Sequence, residues 1–155
     1  MILSPLKSTK NLLGQTVHPV ITQKFGARPE YYKRYGHKGH NGIDFRAPVG
    51  TPLYAPMDGT VTVRDQGDKD YGLHVIISNQ RLSVILAHLS RVDVHTGQVV
   101  GMGEPIALSG KSGSVDPHLH LSAYKMNGPV KKDPDNGFGG AFDITPYIVC
   151  WDKTL

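Results

Sequence analysis

The segment Pro117-His118-Leu119-His120-Leu121-Ser122-Ala123-Tyr124 sets two imidazoles two residues apart. After its proline it holds no Gly or Pro and alternates in type. That pattern predicts a strand with Leu119, Leu121 and Ala123 on a core face and His118, His120, Ser122 and Tyr124 on a polar one. Neutral imidazole is the commonest metal-ligating side chain and the usual proton carrier near neutral pH. The pair therefore suits one ligand and one catalytic base in a single site. A second segment, His40-Asn41-Gly42-Ile43-Asp44, offers further ligands. Read as extended chain, it puts His40, Gly42 and Asp44 on one face, with Gly42 leaving the space between the other two open. A helix would also bring i and i+4 together, but Gly39, Gly42 and Pro48 argue against one. His40, Asp44 and one of the His118/His120 pair supply two nitrogens and one oxygen, with a fourth position left for water. That is the composition of a catalytic zinc site rather than a closed structural one.

These segments need a scaffold to bring them together, and the rest of the chain reads as short strands. Residues 73–78 and 82–88 are two apolar runs separated by Asn79-Gln80-Arg81, a hairpin pattern. In the second run Leu82, Val84, Leu86 and His88 share a face, which places His88 where the core meets a groove. Residues 20–25 predict a first strand. Residues 47–61 and 96–107 are punctuated by closely spaced Pro and Gly, as short strands joined by tight turns require. Residues 27–39 read as a polar loop carrying Tyr31, Tyr32 and Tyr35 among Arg28, Lys33, Arg34 and Lys38. Three tyrosines so close together point to a contact surface. The Gly110-Lys111-Ser112 stretch lacks the glycine that a phosphate loop needs five positions earlier, where Pro105 stands, so nucleotide binding is rejected. His18, His37, His74 and His95 have no ligand partners by spacing and are read as structural or surface residues.

The chain has 155 residues, enough for one domain with its own core and no staples. With 18 Gly and 11 Pro it is rich in turns. Residues 1–17 carry little pattern and read as an N-terminal arm packed on the outside. No apolar run nears the roughly 18–20 residues that cross a membrane, and the first residues lack the order of a secretory signal. Cys150 is the only cysteine, so no intramolecular disulfide exists; beside Trp151 it reads as a buried thiol. A net charge of +4 favours polyanionic partners. The basic residues are scattered and form no recognised nucleic-acid-binding motif; anionic wall polymers would attract such a chain just as well, and charge alone does not decide between them.

Three separated motifs, His40-Asn41-Gly42-Ile43-Asp44, Ala87-His88-Leu89-Ser90 and Pro117-His118-Leu119-His120, together resemble the lysostaphin-type (LytM-like) zinc metallopeptidases in order and spacing. The resemblance runs from about Phe25 to about Tyr147. It implies an endopeptidase that hydrolyses peptide bonds of bacterial peptidoglycan, with one zinc ion per chain. It assigns His40, Asp44 and His120 as metal ligands and His88 and His118 as catalytic groups beside the metal. It implies a mainly β fold, an antiparallel sheet of barrel-sandwich hybrid type, with a long groove walled by loops 27–39, 64–72, 109–117 and 126–140. A lone His on an apolar face is more often structural; in His88 the flanking motif residues reverse that reading. The whole chain, 1–155, then reads as one catalytic domain, monomeric, acting on the cell wall. Lacking a signal, it is expected to be released from the cytoplasm by lysis or carried on a phage particle. Two other classes compete: a non-enzymatic wall-binding or regulatory module on the same scaffold, which would lack some of the five polar residues, and a phosphocarrier of related fold, which would not need Asp44 set against His40.

Overall fold

The computed structural model describes residues 1–151. Its main sheet is antiparallel throughout and assembles from strands of alternating pattern: β1 (Ile21–Gln23), β2 (Ile43–Phe45), β3 (Gly59–Asp65), β4 (Leu73–Ser78), β5 (Leu82–Ala87), β6 (Val99–Val100), β7 (Leu119–Asn127) and β8 (Val130–Lys131). Across the sheet the order is β6-β3-β4-β5-β7-β2-β1, with β8 pairing β7. The strand bearing the His-x-His pair is thus interior, with β5 on one side and β2 on the other. Between β4 and β5 the Asn79 side chain accepts hydrogen bonds from the backbone N–H groups of Arg81 and Leu82. This Asx-type turn closes the expected hairpin.

A smaller antiparallel sheet of Leu89–Val92, Pro105–Ser109 and Pro52–Tyr54 packs against the main one. The core lies between them. Val61, Val75, Ile77, Val84, Leu86, Leu119, Leu121 and Ala123 of the main sheet meet Leu53, Leu89, Ile106 and Ala107 of the smaller one. The result is a mainly β fold of antiparallel sheets that does not close into a barrel. Helix is confined to short pieces: α1 (Pro29–Tyr32), a following 3-10 turn at Lys33–Tyr35 and another at Thr145–Tyr147. Among the described residues no helix is long and apolar enough to cross a membrane.

Four local expectations need correction. The face of β7 carrying His120, Ser122 and Tyr124 is not a solvated polar face, because all three are buried. Ile85 and Ala87 of β5 and the bridged Ala141 continue that face sideways, and Phe25, Tyr71 and Phe138 pack against it; an interior strand whose two faces are both covered is buried throughout. The N-terminal arm is external only in part. Ile2 and Leu3 form a parallel ladder with Ile148 and Val149, and Ile2 and Leu6 join the core. The loop of residues 27–39 is a helical turn followed by a 3-10 turn, started by Pro29 at the first helical position, where its missing N–H costs nothing. Cys150 is half-buried rather than buried.

Candidate metal centre and cleft

Cross-strand register builds the site. In the ladder β1-β2-β7-β5, Gln23 pairs with Asp44, Asp44 with His120, and His120 with Ala87. Directly paired residues share a face, so the Asp44 and His120 side chains are neighbours by construction. His40 enters from the turn before β2. Its Nε2 lies 3.0 Å from His120 Nδ1 and 3.2 Å from Asp44 Oδ1. His120 Nδ1 lies 3.0 Å from the same Asp44 oxygen. A tetrahedral zinc with ligands at about 2.0–2.1 Å needs those ligand atoms about 3.3 Å apart, so the triangle has the required size. The donor set also fits. His40 Nδ1 is 3.2 Å from the Lys24 carbonyl, which only accepts, so that nitrogen carries the hydrogen and Nε2 presents its lone pair. One cation at the centre would satisfy two imidazole lone pairs and a carboxylate at once.

The electrostatics support the same use. Burial pushes the Asp44 carboxyl up, but the His120 and His40 imidazoles beside it outweigh that and hold the group well below the usual carboxylate range. Burial, the largest influence on His120, lowers its pKa and keeps the ring neutral, as a ligand must be. Gly42 makes the arrangement sterically feasible. A Cβ there would stand 2.5 Å from the Leu121 carbonyl oxygen and 2.7 Å from Cε1 of His120. Gly42→Ala should therefore push the His120 ring out of register. We expect a stability loss of about 1–3 kcal/mol, the usual range for overpacking, together with weakened zinc binding. Urea unfolding and a zinc titration check it; an unchanged zinc affinity would show that the ring has other room.

His118 lies just before β7, bridged to Gly110. Its Nδ1–H donates to the Asp116 carbonyl at 2.7 Å, which leaves Nε2 bare, 3.7 Å from Asp44 Oδ2. His88 Nδ1–H donates to the Ser112 carbonyl at 2.8 Å, and the two rings lie 4.7 Å apart. In both histidines a backbone carbonyl holds Nδ1–H, which makes Nε2 the nitrogen that faces the site. Burial chiefly pushes the His88 imidazole down to about 4, with His118 and His120 adding to the effect. By strand alternation His88 would join Val84 and Leu86 in the core. Instead β5 ends at Ala87, and His88 adopts φ +64. That left-handed residue breaks the alternation and swings the ring to the site. The expected strand end at residue 88 is corrected by one residue, to Ala87.

The five side chains face a cleft of about 1130 Å³. Its lining comes from three of the expected loops, through Arg28, Tyr31, Tyr32 and Tyr35, through Gln66, Asp70 and Tyr71, and through residues 113–117. The 126–140 loop instead supports the first one from behind: Lys38 N–H donates to the Gly137 carbonyl at 2.8 Å. Non-glycine residues with left-handed backbone concentrate here. Arg28, Asp70, His88 and Ser114 all line the cleft, each in a conformation that costs of order 1 kcal/mol and persists only where the surroundings impose it.

The sequence patterns did not single out Asn41, Tyr71 or Gln23. Asn41 donates to the Tyr71 hydroxyl at 2.9 Å, and the Tyr71 ring stacks on His120 at 5.4 Å. Asn41 sits inside the His-Asn-Gly-Ile-Asp motif, which was the available signal. His37 lines the cleft rim, whereas His74 is buried, its Nδ1–H donating to the Gly72 carbonyl. His95 contacts the Thr96 carbonyl, and His18 the Ser8 hydroxyl.

Residues 38–132 match the model of peptidase family M23, most of the chain and all five site residues. The chain belongs to peptidase family M23. This family is a zinc-dependent metallopeptidase family, and the lysostaphin-type resemblance stands. Over 92 residues the chain is 38% identical to the peptidoglycan DD-endopeptidase ShyB of Vibrio cholerae, covering 59% of this chain and 22% of that protein. It spans about a fifth of the length of the first such relatives. The structure also resembles the catalytic domain of the prophage-encoded M23 protein EnpA from Enterococcus faecalis. There the TM-score is 0.61 at 32% identity, over 76% of this chain and 90% of that one. Against the catalytic domain of the antimicrobial peptidase lysostaphin from Staphylococcus simulans the TM-score is 0.59 at 26% identity, over 71% and 79%.

Proposed function

We propose that this chain is a zinc-dependent endopeptidase that hydrolyses peptide bonds of bacterial peptidoglycan. Its ligands are His40 Nε2, Asp44 Oδ1 and His120 Nδ1, and its acid–base groups are His118 and His88. The observation that carries the reading is the 3.0–3.2 Å triangle of two imidazole nitrogens and a carboxylate oxygen beside two further imidazoles whose Nδ1 atoms are held by backbone carbonyls. Zinc, when bound, acidifies a water and polarises a substrate carbonyl. The protein's own groups do the rest. His118 Nε2 accepts a proton as the attacking water adds, because its other nitrogen is committed to Asp116. His88, held neutral by burial, offers a second such acceptor nitrogen; only after taking up a proton does it serve the oxyanion or pass that proton to the leaving amine. Tyr31, Tyr32 and Tyr35 form an aromatic wall for the peptide.

A non-enzymatic wall module would have no need of all five groups together, and a phosphocarrier would have no need of Asp44 against His40. The net charge of +4 suits an anionic wall, and ShyB is itself named a peptidoglycan DD-endopeptidase. The same proposal includes one catalytic domain over residues 1–155, acting as a monomer, without nucleic acid. A phage-type origin belongs to the same proposal, and the structurally similar EnpA is prophage-encoded.

Metal analysis of the purified chain should find one zinc per molecule. Chelation should abolish the turbidity loss that the chain causes in purified cell walls, and added zinc should restore it. A zinc-loaded chain that releases no new amine from peptidoglycan would exclude the endopeptidase reading.

A further inference from the structure

Gln23 sits at the edge of the main sheet where the ladder is irregular. Ile21 pairs with Phe45 and Gln23 with Asp44, so two residues of β1 advance while β2 advances one. Such a bulge re-aims a side chain. Here it turns Gln23 towards Asp44, on the site side of the sheet, although alternation would pair it with Ile21. Its Nε2 lies 3.3 Å from Asp44 Oδ2 and 2.7 Å from the Tyr32 hydroxyl. The ionised carboxylate only accepts, so the amide group facing it must be the NH₂, which fixes the orientation of the amide. The NH₂ has two hydrogens and two acceptors. The Tyr32 hydroxyl therefore accepts from Gln23, and its own hydrogen points elsewhere. Tyr32 lines the cleft, and its ring lies 5.2 Å from that of His40.

Asp44 uses its two oxygens differently. Oδ1 faces His40 and His120, while Oδ2 faces Gln23 and, at 3.7 Å, His118. A donor on the outer oxygen of a ligating carboxylate fixes which oxygen coordinates and how the plane is turned. We propose that Gln23 is a positioning residue: one amide holds the outer oxygen of Asp44, so that only Oδ1 is presented to the metal, and turns the Tyr32 hydroxyl into a hydrogen-bond donor towards bound peptide. This rests on the reading of His40, Asp44 and His120 as zinc ligands.

The test is a double-mutant cycle with Gln23→Met, which keeps length and apolar packing but donates nothing, and Tyr32→Phe. Zinc affinity of the full chain is measured by competition with a chromophoric chelator, and hydrolysis of purified peptidoglycan is measured at saturating zinc. Gln23→Met should bind zinc about 10–100-fold more weakly, the usual effect of losing a ligand's outer partner, and at saturating zinc should still hydrolyse about tenfold more slowly. Tyr32→Phe should keep wild-type zinc affinity and show a similar rate loss. The double variant should be no slower than the slower single one, because Gln23 reaches the peptide only through Tyr32. A purely structural role would not produce that non-additivity. Wild-type zinc affinity in Gln23→Met, a wild-type rate in Tyr32→Phe, or rate losses that multiply in the double variant would each overturn the proposal. If Gln23→Met does not fold, the Tyr32→Phe rate still decides it. Failure of the unmodified chain to bind zinc would remove the metal reading and this inference with it, an outcome distinct from the other three.

Discussion

His120→Ala should lose zinc and activity together. The residue is buried at the middle of an interior strand, with Nδ1 aimed at both Asp44 and His40. Alanine would remove one of three ligand atoms and leave Asp44 an ionised carboxylate with one fewer hydrogen-bond partner. Two remaining ligands make a poor zinc site, so the chain should be recovered with little metal, and hydrolysis should fall to background. Asp44→Ala should behave in the same way. The measurement is metal content beside peptidoglycan hydrolysis for each purified variant. Full zinc occupancy in His120→Ala would mean that a different histidine completes the site, and His118 would be the first suspect.

His118→Ala should separate the two readouts. Its Nε2 is not part of the 3.0–3.2 Å triangle and lies 3.7 Å from Asp44 Oδ2, the oxygen turned away from the other two ligands. Zinc should therefore stay bound. The rate should nevertheless drop about 10²–10⁴-fold, the usual worth of a positioned acid–base group. His88→Ala should resemble it, with zinc retained and hydrolysis impaired, since His88 stands on the far side of His118 with its own carbonyl anchor. Near-normal hydrolysis by His118→Ala with zinc bound would take that residue out of the mechanism. Zinc lost from His118→Ala but kept in His120→Ala would reverse the two assignments.

Much of the arrangement was legible because it follows from local rules. Period-2 alternation over residues 119–124 put Leu119, Leu121 and Ala123 in the core, and the structure has all three fully buried. Turn chemistry at Asn79 marked the hairpin to within one residue of its observed bounds. The absence of a side chain at Gly42 was readable as open space, and His120 fills it. What alternation could not show was its own interruption at His88, where φ +64 replaces the extended conformation. Nor could it show the bulge that turns Gln23.

By itself the sequence determined which chemistry the candidate site offers: three motifs that supply four imidazoles and one carboxylate, on segments whose alternation suits an antiparallel sheet. Residue type and short-range spacing suffice for that, because they depend only on neighbours along the chain. Only the tertiary structure decided how the groups are used. The pairing of Asp44 with His120 joins positions 76 residues apart. The tautomers of His40, His88 and His118 are set by carbonyls of Lys24, Ser112 and Asp116, and for two of the three that carbonyl lies many residues away. The second face of β7 is buried because Phe25, Tyr71 and Phe138 pack on it from three separate segments. Each of these is a contact between parts of the chain that no local pattern relates, and cross-strand register is the physical link that brings them together.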